Sequence, residues 1–129
     1  MKKLRGILVD TRNGISVERI DYENYWSITE LLGCKWITCV PRVINGHVVD
    51  IYCDEEALLK QEREPAILTR DENKQIIEIL FGNCFICLHN KKGDVKNIPH
   101  KLIGDILLSQ GSVTTIMGKT YQVLQCTLK

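Results

Sequence analysis

Two stretches decide how this chain is read: Ile51-Tyr52-Cys53-Asp54-Glu55-Glu56-Ala57-Leu58-Leu59-Lys60 and Ile79-Leu80-Phe81-Gly82-Asn83-Cys84-Phe85-Ile86-Cys87-Leu88. In the first, an extended apolar segment runs into Asp54, a good helix N-cap. Glu55 and Glu56 follow in the first turn, where the helix dipole favours negative charge, and residues 57–60 are helix formers, so a short helix is expected. In the second, apolar residues are interrupted by Gly82-Asn83, which predicts either one bent or bulged central strand or two strands.

Working outward, residues 4–10 and 15–20 read as strands around Thr11-Arg12-Asn13-Gly14, because Asn-Gly supplies the positive backbone angles of a tight hairpin. Asn24 is placed to cap a helix over 24–32 that carries Trp26, Ile28, Leu31 and Leu32, with Gly33 at its end. Residues 35–40 and 47–53 form a second hairpin around Asn45-Gly46. Residues 61–75 are mostly polar and contain Pro65, so they read as an exposed connection and a mobile lid, with 66–68 touching the core or adding an edge strand. After a polar turn at 90–94, Pro99 opens a helix over 99–109 whose apolar stripe is Leu102, Ile103, Ile106 and Leu107. Residues 112–117 and 120–128 close the chain as a third hairpin.

This order predicts an α+β fold: an antiparallel or mixed β-sheet built from hairpins and packed on two main helices, at about 24–32 and 99–109. A doubly wound dinucleotide fold needs alternating strands and helices with a Gly-rich first turn, and the sequence has neither. With 129 residues and 44% hydrophobic content, a single domain spanning 1–129 can bury a core without staples. Seventeen basic residues against sixteen acidic ones leave no field to draw the chain to nucleic acid or an anionic membrane. The N-terminal apolar run ends after three residues at Asp10, too short for a signal core, so a cytosolic protein is expected. In that reducing compartment the six cysteines remain thiols that fill the core.

Cys84-Phe85-Ile86-Cys87 has zinc-pair spacing, but residues three apart in an extended strand face opposite sides, so neither a metal nor a cofactor is expected there. His47, His89 and His100 are far apart with no triad signature around them. Helix capping explains Asp54, Glu55 and Glu56 better than acid–base catalysis does, and with no P-loop or nucleophile elbow the chain reads as a non-enzyme. The remaining chemistry suits a nucleotide. Phe81, Phe85 and Tyr52 offer stacking faces, Asn83 and Asn90 offer amides, and Arg42 and Lys101 offer cations. His100 sits in a helical first turn where a phosphate can bind. Each has a plain structural alternative: Phe81 and Phe85 share a face of an unbroken strand and fill the core, and the cations are solvated. Asn83, an amide inside an apolar run, must bond backbone at a bulge or face a cavity or ligand.

The hairpin at 4–21, the helix ending Leu31-Leu32-Gly33, the strand at 35–40, Ile51-Tyr52-Cys53-Asp54-Glu55-Glu56 with Lys60 and Pro65 beyond, and the Gly82 strand together resemble a family of short uncharacterised domains from bacteriophages and Firmicutes. Residues 112–129 extend beyond that pattern. In size, hairpin content and lack of catalytic motifs the chain is also similar to the phage sponge proteins that sequester the nucleotide signal of Thoeris defence. This resemblance implies capture of a cyclic ADP-ribose isomer in pockets of a homo-oligomer. It further implies an aromatic of the 81–85 strand on adenine, Asn83 or Asn90 on ribose, and basic groups on the phosphates, with His100 and Lys101 where that family's arginines are sought. The alternative is a protein-interaction module acting on a host or phage protein.

Overall fold

The computed structural model describes residues 3–22 and 25–129, Tyr25 by its backbone alone. Its elements run β1 (Lys3–Asp10), β2 (Gly14–Asp21), α1 (Tyr25–Leu32), β3 (Ile37–Ile44), β4 (His47–Asp54), a 3₁₀ turn (Ala57–Leu59), β5 (Pro65–Arg70), β6 (Ile76–Phe81), β7 (Cys84–His89), β8 (Val95–Lys96), α2 (His100–Leu107), β9 (Gln110–Thr114) and β10 (Thr120–Leu128). The strands form a mixed sheet in the order β2-β1-β7-β4-β3-β10-β5-β6, with β8 on β7 and β9 on β10. All neighbours are antiparallel except β10 and β5, which run parallel. Sheet and two helices together make the fold α+β. No described helix is long and apolar enough to cross a membrane.

The two Asn-Gly pairs build different turns. Asn45 and Gly46 take φ of 47° and 82° between paired Ile44 and His47, the two-residue hairpin that needs positive angles at both positions. At the first hairpin Asp10 pairs with Gly14, and of the two residues only Gly14 has a positive φ. The loop is therefore Thr11, Arg12 and Asn13, held by the Asp10 carboxylate, which accepts from the backbone N–H of Arg12 at 2.9 Å and of Asn13 at 3.1 Å.

Strand β7 is buried on both faces. Cys84 and Ile86 join the large cluster that includes Ile103 and Ile106 of α2, while Phe85 and Cys87 join the cluster that includes Ile28 and Leu32 of α1. The near-continuous apolar run from Cys84 follows from that double burial. Trp26, expected on the apolar stripe of α1, instead stands 64% exposed. The expected Asn24 cap lies outside the described residues.

Three further expectations are corrected. Residues 61–75 are not a lid: Pro65–Arg70 is an inner strand with Ala66, Ile67 and Thr69 fully buried between β10 and β6. Proline is tolerated there as the first residue of the strand, and the polar flanks at 61–64 and 71–75 disguised five buried residues, Pro65 to Thr69. The helix after Asp54 is a single 3₁₀ turn. Phe81 and Phe85 do not share one strand, because Gly82, at φ 82°, sends β6 to β5 and β7 between β1 and β4.

Candidate functional site

The Gly82 bend faces the β1–β2 turn, and between them opens a cleft of about 470 Å³. Its walls come from Asp10 to Asn13, the end of α1 at Leu32 and Gly33, the segment after β4, and Phe81 to Asn83. Asn83 meets both alternatives set by its sequence position. Its Oδ1 accepts from the Thr11 backbone N–H at 3.0 Å and from the Thr11 hydroxyl at 3.3 Å, and its side chain lines the cleft. Losing that amide removes two hydrogen bonds across the turn, each worth about 1 kcal/mol. Asn83→Ala is accordingly expected to lower stability by about 1–2 kcal/mol in urea denaturation.

Two of the carboxylates around the cleft, Asp10 and Asp54, are satisfied by local partners. Asp54 accepts from the Glu56 N–H at 2.9 Å and pairs with Lys60 at 2.5 Å, a hydrogen bond that raises the Lys60 pKa above its ordinary value. Burial pushes the Asp10 pKa upward, but the N–H groups of Arg12 and Asn13 outweigh it and leave the carboxyl below its usual range. Glu64 lies 3.5 Å from Arg12 through one oxygen, while its other oxygen is buried with no hydrogen-bond partner among the described residues. Asp10, Asp54, Glu62 and Glu64 set four carboxylates against the two cations Arg12 and Lys60.

A narrower groove of about 200 Å³ adjoins the cleft across Asp54, Ala57 and Phe81. Arg42 lies in it, but its side chain is only 11% exposed and pairs with Glu78 at 2.7 Å, so it is not the free phosphate-binding cation expected. Thr69 donates to the same Glu78 oxygen at 3.1 Å.

Tyr52 belongs to a separate polar group. Its hydroxyl lies 3.3 Å from Nε2 of His89, whose Nδ1 is 2.7 Å from Oδ2 of Asp50. Cys39 completes this group: its sulfur and the ligand atoms of Asp50 and His89 all lie within 4.8 Å of one another.

Of the eight expected residues, the fold thus brings Arg42, Phe81 and Asn83 to adjoining concavities. Phe85 has no exposed surface and cannot stack on a ligand; it packs with Tyr22 at a ring separation of 5.9 Å. Asn90 spends its Oδ1 closing a turn, accepting from the N–H of Lys92 and Asp94. His100 and Lys101 stand exposed on the first turn of α2 and line neither concavity. Cys84 and Cys87 fall in different buried clusters, as an extended strand requires. The thiols of all six cysteines are pushed above their ordinary pKa, first of all by burial, so none is held as a thiolate.

A family model described as a domain of unknown function, DUF3846, matches residues 2–109. The chain belongs to the DUF3846 family. No curated protein and no solved structure shows a significant match to it. The DUF3846 region contains the cleft, the groove and the Cys39–Asp50–His89 group, while β9 and β10 lie beyond its end. Sequence reasoning missed Thr11, Asp50 and His89 as parts of these sites. Thr11 reads as a turn residue, and no spacing motif links positions 39, 50 and 89; only the registers of three strands do.

Proposed function

We propose that the protein is a non-catalytic binding domain that captures a small nucleotide signal in the cleft beside Phe81 and Asn83 and holds it intact. The observation that carries this reading is a concavity of about 470 Å³ that places an aromatic wall beside amide and hydroxyl groups. Such a volume falls in the range of small-molecule sites. The carboxylate-rich lining disfavours phosphates deep in the cleft, so base and ribose enter and the anionic part faces Arg12, whose side chain is 73% exposed.

The finer assignment rests on the resemblance to the Thoeris sponges: the ligand is a cyclic ADP-ribose isomer, the setting is the cytosol of a phage-infected host, and the working form is a homo-oligomer. Isothermal calorimetry with cyclic ADP-ribose isomers and cyclic dinucleotides should show binding, with the ligand recovered intact by chromatography. Phe81→Ala should weaken that binding about tenfold, the loss of one stacking contact of about 1–1.5 kcal/mol. Absence of binding to every one of these nucleotides overturns the proposal.

The second reading, a protein-interaction module, is favoured by the apolar rim of the same region. Trp36, Leu58 and Leu59 are 52%, 63% and 81% exposed, Leu58 lines the groove, and the Glu55 N–H donates to the Trp36 carbonyl at 3.0 Å, which ties the residue before β3 to the segment that leads into the 3₁₀ turn. A copurifying protein partner, with no thermal shift from nucleotides, supports this reading over capture.

A further inference from the structure

The geometry points to a zinc site formed by Cys39 of β3, Asp50 of β4 and His89 of β7, separate from the cleft. These strands are neighbours in the sheet, and their registers pair Cys39 with Tyr52 and Asp50 with Cys87. Side chains two apart share a face, so Cys39, Asp50, Tyr52, Cys87 and His89 all project to one side. Asp50 is diagonal to both of its partners, and the three ligand atoms lie within 4.8 Å of one another. Zinc bonds of about 2.0–2.3 Å in a tetrahedron require donors roughly 3.3–3.7 Å apart. Side-chain movements of about an ångström bring the donors to that spacing, opening the 2.7 Å Asp50–His89 contact, while the strand ladders stay in place.

The donor set matches the metal. One sulfur, one imidazole and one carboxylate suit borderline-soft Zn²⁺ rather than Ca²⁺ or Mg²⁺, which take all-oxygen shells. A Cys39 thiolate and the Asp50 carboxylate together neutralise its charge. The outer contact is also present: Tyr52 Oη lies 3.3 Å from His89 Nε2 and can accept a hydrogen bond from it in the Nε2–H tautomer, which leaves Nδ1 to face Asp50 and the ion. On binding, the Cys39 S–H proton leaves to solvent as the sulfur–zinc bond forms. The imidazole changes tautomer as it binds: the proton that Nδ1 donates to Asp50 gives way to the zinc bond, a proton is taken up on Nε2 facing Tyr52 Oη, and water takes the fourth position. Cys39 is exposed and Asp50 and His89 are 28% and 21% exposed in their side chains, so the ion has an entry path.

A cysteine–histidine nucleophile is a poorer account of the same residues. Both ring nitrogens of His89 are engaged, Nδ1 with Asp50 and Nε2 with Tyr52, and no hydrogen bond joins either to Cys39 among the described residues. A half-buried Asp–His–Tyr chain with no metal is the plain alternative that experiment must exclude.

Titration of the chelator-stripped, reduced protein with Co²⁺ should show one-to-one binding, a near-ultraviolet sulfur-to-metal charge-transfer band and displacement by Zn²⁺. Cys39→Ser should abolish that band. Cys39→Ser, Asp50→Asn and His89→Ala should each weaken Zn²⁺ binding by more than the roughly 10–100-fold expected for loss of an outer contact, and Tyr52→Phe by only about tenfold. Cys34→Ser should leave affinity unchanged. On the unmutated chain, Zn²⁺ should protect Cys39 from alkylation, read by peptide mass spectrometry, so the test stands even if a variant fails to fold. Absence of stoichiometric binding, unprotected Cys39, or affinity indifferent to both Cys39→Ser and His89→Ala overturns the site.

Discussion

A chain ending at residue 109 is expected to show no cooperative unfolding transition, although it retains the whole DUF3846 match. The reason is the position of β10. It pairs with β9 along its first half, with β3 at Thr127 and Leu128, and in parallel with β5 from Leu124 to Thr127, so it is the strand that joins β3 to β5. Its Tyr121, Val123 and Leu124 are 7%, 0% and 0% exposed. Burial of large apolar side chains is worth about 1.5–3 kcal/mol each, so these three contribute about 5–9 kcal/mol before any ladder hydrogen bond is counted. Total stabilities are about 5–15 kcal/mol. Deletion also uncovers Ile67 and Leu68 of β5 and opens two inner strand edges. Far-UV circular dichroism melting and amide dispersion in NMR report the outcome. A sharp melt of the shortened chain means that the matched region is a self-sufficient fold and that β10 is an accessory.

The second large effect is expected at Gly6. A Cβ at this position would sit 2.6 Å from the Ile86 carbonyl oxygen and overlap the Phe85 ring. Neither obstacle yields easily: the carbonyl belongs to the β7 backbone paired with β1, and Phe85 is fully buried in the cluster beneath α1. Gly6→Ala is therefore expected to cost about 3 kcal/mol or more, the upper end of overpacking penalties. It should appear as a lower urea midpoint with an unchanged slope. Phe85→Ala alone should cost about 3–5 kcal/mol through the cavity it leaves. Combining Gly6→Ala with Phe85→Leu should cost less than the sum of the single changes, because the smaller side chain removes one obstacle and leaves the carbonyl. A loss under about 1 kcal/mol for Gly6→Ala refutes the close approach of β1 to the ring.

The elements that were legible in the sequence are those made by local chemistry. Asn45-Gly46 builds the turn that its angles demand, Gly33 ends α1, with the Cys34 N–H on the Thr29 carbonyl, and Pro99 precedes a helix whose Ile103 and Ile106 face the core. Asn83 was legible as a polar group that needed a partner, although Thr11, 72 residues away, was not. The segment at 65–70 was misread because its burial is imposed by β10 and β6 from outside, and nothing in its own polar surroundings announces that. Arg42 was expected as a free cation because Glu78 is 36 residues distant in sequence and a neighbour only across the folded sheet.

Residue chemistry and spacing determined the hairpins, the two helices, the α+β class and the concentration of apolar residues around Gly82, because turns, caps and side-chain periodicity act over a few residues. Tertiary structure alone decided that Phe81 borders a cleft while Phe85 is sealed inside. It also decided that Arg42 is neutralised, and that a cysteine, an aspartate and a histidine from three strands bring their polar atoms within 4.8 Å of one another. The physical reason is that register and strand order are set by long-range pairing and by burial on both faces of the sheet, which no local stretch of the chain encodes by itself.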